Sequence, residues 1–285
     1  MTLKNIIGID HAVVVVKDLD RAAENWKRLG FTVSPRGTHS AKMGSGNYTI
    51  MLGSDYVELL GVLVATDHNA PTRAFLARTG GGIERVAFTT LDAAAGAAEI
   101  RGRGFAPIGP IDFERPVTMP DGAPSAAKFS VFQWPVDEAS GGLRIFACQH
   151  RTRETVWIPQ LQHHANTARA IERVLIVSPT PQADAQHLAR MIDGEVLSGS
   201  DGAFRVPSGL DRADFAFVTS DQLAQLYPGV SLAGLPERGG AALVLQADDL
   251  AAAEQAAGSA GVKSRSAIVV PPAAANGVML AFVAE

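Results

Sequence analysis

The stretch Ile9-Asp10-His11-Ala12-Val13-Val14-Val15-Val16 begins the pattern that decides the fold. Its run of β-branched residues predicts a strand. Asp18 then stands where a helix N-cap is expected, and Gly30-Phe31 is typical of a helix end that leads into a strand. Further strands are predicted over Tyr48–Leu52 and Asp55–Val62. The unit therefore consists of a strand, a helix and three more strands.

The same unit recurs along the chain. Arg85, in a second strand-like run, precedes Gly104 by 19 residues, and His11 precedes Gly30 by the same 19 residues. The tetrapeptide Ile171-Glu172-Arg173-Val174 repeats residues 83–86 and begins a third unit, and a fourth unit begins near Gly239. Self-similarity at a regular spacing indicates repeated structural units. We therefore predict an α+β fold built from four βαβββ modules.

The composition excludes several classes of protein. The 285 residues carry 25 lysines and arginines against 29 aspartates and glutamates, a net charge of −4, with no basic run of the kind that binds nucleic acid. The single cysteine, Cys148, excludes an internal disulfide and a cysteine-rich zinc site. The N-terminal residues lack a signal-peptide pattern, and the longest apolar run, Val57–Ala65, is too short to span a membrane. We expect a cytoplasmic protein that binds neither nucleic acid nor membrane.

The chain resembles the vicinal oxygen chelate superfamily, which includes glyoxalase I, methylmalonyl-CoA epimerase, extradiol dioxygenases and bleomycin-resistance proteins. Within it the chain is most similar to glyoxalase-like domain proteins. The resemblance is carried by residues 9–13 with Asp18-Leu19-Asp20, by Tyr56-Val57-Glu58-Leu59-Leu60, and by Gly80-Gly81-Gly82-Ile83. It implies that modules pair into curved mixed sheets, each pair forming a half-open cup. We expect two paired-module domains, a glyoxalase-like domain at 1–150 with the active cup and a scaffold domain at 165–285.

The resemblance also implies a metal site in the first cup. His11 corresponds to the ligand on the first strand and Glu58 to the ligand on the fourth strand, with His150 as a candidate third ligand and Cys148 as the alternative. Such a set suits a divalent Zn, Fe, Mn, Co or Ni ion. The residues themselves agree, because Glu58 lies in an apolar run, where an unpaired carboxylate would be costly.

Arg85 is a departure from the family pattern. It occupies the first-strand position of the second module, and arginine does not ligate metals because it stays protonated. We expect Arg85 and Glu58 to be catalytic, and Arg85, His39 and Trp157 to bind the substrate. Alternatively, Arg85 pairs with Glu58 and replaces the metal in a cup that binds an oxyanion. Trp157 lies in a segment, residues 151–167, that either connects the two domains or folds over the cup.

The function implied is a metal-dependent lyase, isomerase or epimerase that acts on a small substrate with adjacent oxygens, through an enolate or a similar oxyanion. Two alternatives remain open at this point. One is a ring-cleaving dioxygenase of the extradiol type, and the other is a metal-free protein that binds or sequesters a small molecule. Modules in this superfamily also pair between chains, so a homodimer is a further possibility.

Overall fold

The computed structural model describes residues 3–284 as four copies of the predicted module. The first module consists of β1 (Ile6–Val16), α1 (Leu19–Arg28), β2 (Gly37–Thr38), β3 (Ser45–Met51) and β4 (Tyr56–Val62), and the second of β5 (Gly82–Thr90), α3 (Ala93–Gly102), β6 (Ile108–Thr118), β7 (Pro124–Gln133) and β8 (Arg144–His150). The third module consists of β9 (Ala168–Val177), α4 (Pro181–Ile192), β10 (Leu197–Ser198), β11 (Phe204–Pro207) and β12 (Asp214–Val218). The fourth consists of β13 (Gly239–Ala247), α6 (Leu250–Ala257), β14 (Val262–Ser264), β15 (Ala267–Val270) and β16 (Met279–Val283). The α+β fold of four βαβββ modules is confirmed.

Each pair of modules forms one mixed sheet. In the first pair the order β2-β3-β4-β1 continues through the antiparallel contact of β1 with β5 into β5-β8-β7-β6. The fourth strand of each module lies parallel to the first, and the remaining strands run antiparallel. The second pair repeats this arrangement around β9 and β13. The prediction of two paired-module sheets is therefore confirmed.

The predicted helix caps form as the sequence suggests. The side chain of Asp18 accepts a hydrogen bond from the backbone N–H of Arg21, and Asp92 and Asp249 cap α3 and α6 in the same way. A capping carboxylate satisfies backbone donors that the first helical turn leaves free.

None of the helices in residues 3–284 is long and apolar enough to cross a membrane.

One hydrophobic core runs through both halves of the chain. Phe88 contacts Phe215 with ring centroids 5.7 Å apart, and Phe31 stacks on Phe282 at 5.9 Å. A single pair of residues, Ile83 at the start of β5 and Gly240 at the start of β13, also joins the two sheets. The division into domains at 1–150 and 165–285 stays a prediction. The two halves are packed together, because their helices and the convex faces of their sheets share this core.

Two helices that link the modules within a pair were not predicted. They are α2 (Ala70–Thr79), between β4 and β5, and α5 (Ser220–Leu226), between β12 and β13. In the second pair, Leu223 of α5 and Tyr227 and Val230 after it pack onto the concave face of the sheet and fill it. In the first pair, Phe75 of α2 covers only one end, on Val13, Val15 and Leu60. The first cup therefore stays open and the second is closed by its own chain.

Candidate functional site

A β-bulge places the first two residues of the site. Ile9 pairs with Phe88 and His11 with Ala87, so Asp10 is an extra residue in β1 without a partner of its own. Bulges redirect side chains, and here Asp10 and His11 come together although they are adjacent in sequence. Simple alternation along β1 would place Ile9 and His11 on the same face, and the structure does not. Ile9 packs in the main core, because the bulge intervenes.

The carboxylate of Asp10 is the centre of a buried hydrogen-bond network. His11 donates from Nδ1 to Oδ1 at 2.6 Å, His150 donates from Nε2 to the same oxygen at 2.9 Å, and Thr89 donates to Oδ2 at 2.8 Å. Burial alone would raise the pKa of Asp10, but the charges and hydrogen bonds of His150 and His11 outweigh it and hold that pKa well below the ordinary value. Asp10 is therefore ionised, and both imidazoles present N–H groups to it.

This network fixes the orientation of His11. Because Nδ1 is bound to Asp10, the other ring nitrogen, Nε2, is left to face the cavity. Nε2 lies 3.8 Å from Oε2 of Glu58, beyond hydrogen-bond distance. The imidazole also stacks on Tyr56, with centroids 4.3 Å apart. Glu58 in turn is held by Asn47, which donates to Oε1 at 2.7 Å.

Arg85 lies next to a second bulge. Glu84 is the extra residue of β5, as Asp10 is of β1, and its carboxylate is 3.2 Å from Nη2 of Arg85. Glu84 also pairs with Arg144, so one carboxylate serves two guanidinium groups. The alternative ion pair between Arg85 and Glu58 is not formed, since each has other partners. Arg85 lines the cavity and contacts protein oxygens through Nη2 alone.

The first cup contains a cavity of about 960 Å³, its open mouth included. His11, Glu58, Arg85, His39 and Cys148 line it, with an aromatic wall formed by Tyr56, Phe113, Phe129 and Phe146. His39 follows β2, shares a hydrogen bond of 2.9 Å with Ser45, and has a pKa lowered by burial although Glu58 opposes the shift. Burial likewise raises the pKa of the Cys148 thiol well above its ordinary value. Twelve of the 21 lining residues are polar or charged, so the cavity combines an aromatic wall with many groups that could bind a polar small molecule.

Two of the expected site residues lie behind the cavity rather than in it. His150 does not line the cup. Its ring packs edge-on against Phe129, Tyr56 and Trp157. Trp157 donates to the carbonyl of Gly53 at 3.0 Å and does not line the cup either. The segment of residues 151–167 thus packs against the back of the Asp10 network and does not cover the mouth.

The donor set does not fit the expected metal site in the cup. Paired modules of this type offer four ligand positions, and here they hold His11, Glu58, Arg85 and Phe146, the last opposite Ala87 as Glu58 is opposite Val13. A guanidinium and a phenyl ring do not bind metals. The third expected ligand, His150, uses Nε2 on Asp10. Two of the four positions hold metal-binding groups, whereas catalytic zinc sites generally keep three protein ligands.

One other group of metal-binding side chains lies close together. In residues 3–284, the ligand atoms of Asp10, His11 and His150 lie within 4.8 Å of one another. Two histidines and a carboxylate form a donor set suited to iron or zinc. Here one ring nitrogen of each histidine approaches the same carboxylate oxygen at hydrogen-bond distance, and Nδ1 of His150 is buried without a hydrogen-bond partner among the described residues.

Sequence reasoning missed three residues of the site: Asp10, Asn47 and Arg115 of β6, which lines the cavity. A signal for Asp10 was available. Asp10-His11 aligns with Glu84-Arg85 at the offset of 74 residues and with Glu172-Arg173 in the third module. Glu172 is also the extra residue of a bulge, 3.2 Å from Arg173. An acid followed by a base at the same position of three modules marks the bulge.

The comparisons with known proteins agree with this fold. A model of the glyoxalase-like domain matches residues 9–192. A hypothetical protein from Staphylococcus aureus is 14% identical, with a TM-score of 0.70 over 97% of this chain and 99% of that one. A mutant of 4-hydroxymandelate synthase from Streptomyces coelicolor is 13% identical, with a TM-score of 0.63 over 98% and 93%.

A methylmalonyl-CoA epimerase from Streptomyces coelicolor, in complex with 2-nitronate-propionyl-CoA, is 21% identical and aligns with 51% of this chain and 99% of that one at a TM-score of 0.40. No protein of curated function matches the sequence. The family model spans well over half of the chain. The chain belongs to the glyoxalase-like domain family.

Proposed function

We propose that the chain is an enzyme that moves a proton on a small substrate with adjacent oxygen atoms, with Arg85 in place of a metal as the group that stabilises negative charge. The observation that carries the proposal is the orientation of His11. Asp10 holds Nδ1 at 2.6 Å, and Nε2 faces the cavity beside Glu58. A base that is fixed through its second nitrogen is prepared for proton transfer.

The reaction would proceed by abstraction of a proton next to a carbonyl or carboxyl group. The C–H bond breaks, the proton moves to Nε2 of His11, and the electron pair moves to the oxygen to give an enolate. Arg85 donates hydrogen bonds to that oxygen, because only its Nη2 is engaged by the protein. Asp10 and Glu58 stabilise the imidazolium that forms. Return of the proton to carbon gives an isomer or epimer, and loss of a leaving group gives a lyase reaction.

A test follows proton exchange directly. The protein is incubated in D₂O with a panel of 2-oxo and 2-hydroxy carboxylic acids. NMR then follows the loss of the signal from the C–H next to the carbonyl or carboxyl group. Wild type should exchange the proton of at least one acid, His11→Gln and Arg85→Gln should not, and Arg173→Gln in the closed second cup should exchange normally. Binding of an acid without exchange would contradict the proposal.

That contrary result would support the second candidate, a metal-free binding or resistance protein. The observation in its favour is the aromatic wall of the cup, where Phe146 stands at the fourth ligand position. The dioxygenase alternative has less support. In the second pair of modules, Arg173 and Ala242 occupy the first-strand positions, and neither side chain can ligate a metal. A homodimer and a cytoplasmic location stay predictions from the sequence.

Metal content is tested separately, by elemental analysis of protein purified without chelator. The donor set leads us to expect less than one equivalent of metal, with no change in His11→Ala. About one equivalent of Zn, Fe, Mn, Co or Ni, lost in His11→Ala, would instead assign a ligand role to His11. Glu58→Gln and Asp10→Asn would then distinguish the cavity pair from the buried Asp10, His11 and His150 group.

A further inference from the structure

Arg115 is a cation inside the cup for which residues 3–284 provide no counter-ion. It projects from β6, and none of the described carboxylates approaches its guanidinium within the 4.0 Å of an ion pair. The other arginines of this region are paired, Arg85 and Arg144 with Glu84 and Arg151 with Asp112. An unpaired charge away from bulk water is costly, and burial lowers the pKa of Arg115 accordingly.

The position of Arg115 is built into the fold. A side chain at Gly37 of β2 would place its first carbon 3.4 Å from both Cδ and Nη1 of Arg115, and 2.2 Å from Oδ1 of Asn47. The outer strands of the two modules therefore meet at Gly37, and the arginine crosses from one strand to the other.

The surroundings of Arg115 are apolar on one side and polar on the other. Phe113 precedes it by two residues on β6 and stacks on Phe129 of β7, with centroids 5.0 Å apart. Glu58 and Tyr56 are its nearest charged or titratable neighbours. A guanidinium beside an aromatic wall suits a ligand that has one planar anionic group and an apolar body. A dianion would suit it less, since Glu58 lies on the same cavity.

We propose that Arg115 is the anchor for the carboxylate of an organic acid whose apolar or aromatic body packs on Phe113 and Phe129. The proposal rests on the proposed function, because it names the substrate class of the same cavity. Arg115 binds a group that does not react, whereas Arg85 faces the oxygen at the reacting end beside His11. The two arginines then set the direction in which the substrate enters.

The test measures binding apart from turnover. Phenylacetate, its neutral analogue phenylacetamide and inorganic phosphate are titrated into wild type and His11→Gln by calorimetry, with Arg115→Gln, Arg115→Lys and the surface variant Arg36→Gln alongside. We expect phenylacetate to bind wild type, His11→Gln and Arg36→Gln equally. Arg115→Gln should bind about 10- to 100-fold more weakly, as expected for a lost charge-assisted hydrogen bond, with Arg115→Lys in between.

Three results would overturn the proposal: no binding of phenylacetate to wild type, equal binding of phenylacetate and phenylacetamide, or equal affinity in wild type and Arg115→Gln. Phosphate that binds as tightly as phenylacetate and also depends on Arg115 would overturn the carboxylate assignment. The two proposals fail separately. Binding through Arg115 without proton exchange refutes the proposed enzyme activity and supports the role of Arg115 as the anchor. Proton exchange that Arg115→Gln does not change supports the enzyme activity and refutes the anchor.

Discussion

Replacing Asp10 by asparagine tests the buried network on which the site depends. Asp10 is fully buried and accepts three hydrogen bonds, two of them from imidazole rings. The amide removes the charge but keeps an oxygen for the two imidazole donors, and its NH₂ group can face Thr89, whose hydroxyl can accept instead of donating. The cost is therefore the charge-assisted part of the two imidazole bonds, about 1 kcal/mol each. We expect Asp10→Asn to lower the free energy of unfolding by about 2 kcal/mol.

The loss should depend on pH in a defined direction. The pKa of Asp10 is lower in the fold than its ordinary value of 3.8, so its stabilisation is complete above about pH 4 and is lost as the pH falls further. The difference between wild type and Asp10→Asn should be constant around neutral pH and shrink in acid. The same substitution removes the negative charge that stabilises the imidazolium of His11, so we expect proton exchange to fall about 100-fold or more.

Chemical denaturation followed by circular dichroism measures the free energy of unfolding, and the melting temperature should fall by about 5 °C. The matched control is Asp112→Asn, whose carboxylate is 66% exposed in its pair with Arg151 and should contribute less than about 0.5 kcal/mol. An Asp10→Asn protein as stable as wild type at neutral pH would refute the network. A stability loss without any change in proton exchange would refute the role of Asp10 in stabilising the imidazolium of His11.

Three further predictions concern the rim, the contact between halves and the second cup. Gly37→Ala should displace the amide of Asn47, which the new Cβ would approach to 2.2 Å, and lower the free energy of unfolding by about 1–3 kcal/mol, whereas Gly102→Ala, which meets nothing within 4 Å, should not destabilise the protein. Asp55 is buried, accepts a hydrogen bond from the N–H of Ile171, and has a pKa that burial raises to about 7. The free energy of unfolding should therefore fall by up to about 4 kcal/mol as the pH rises from about 4 to 7. Asp55→Asn should abolish that slope, and a slope that persists in the variant would assign it to another group. Arg173→Gln should leave phenylacetate binding unchanged, and a large loss would contradict the view that the second pair is a scaffold.

The module repeat was predictable because local patterns carry it. Helix caps at Asp18 and Asp92 and glycines at helix ends depend on a few neighbouring residues, and all appear in the structure. The helices α2 and α5 were missed because they link modules and fall outside the repeat. Short-range patterns therefore specify the modules better than the segments between them.

The site was only partly predictable, because its geometry depends on a bulge and on long-range pairing. His11, Glu58, Arg85 and His39 all line the cavity, but strict alternation could not show that Asp10 turns toward His11 and His150, which is 140 residues away. The same network turns His150 away from the cup. Arg115 was not singled out because its significance comes from the lack of a partner within residues 3–284, which only three-dimensional contacts reveal.

The bulge in the first strand of every module has a consequence for how such chains change over time. Asp10, Glu84, Glu172 and Ala241 are the extra residues of the four bulges, and each precedes the position that faces its cup. Duplication has thus copied a backbone irregularity along with the strands. Each copy offers a pre-placed pair of side chains, so a single substitution can create or remove a reactive group without rebuilding the sheet. The second cup retains the same pair, Glu172 and Arg173, while Leu223 of α5 packs onto its sheet.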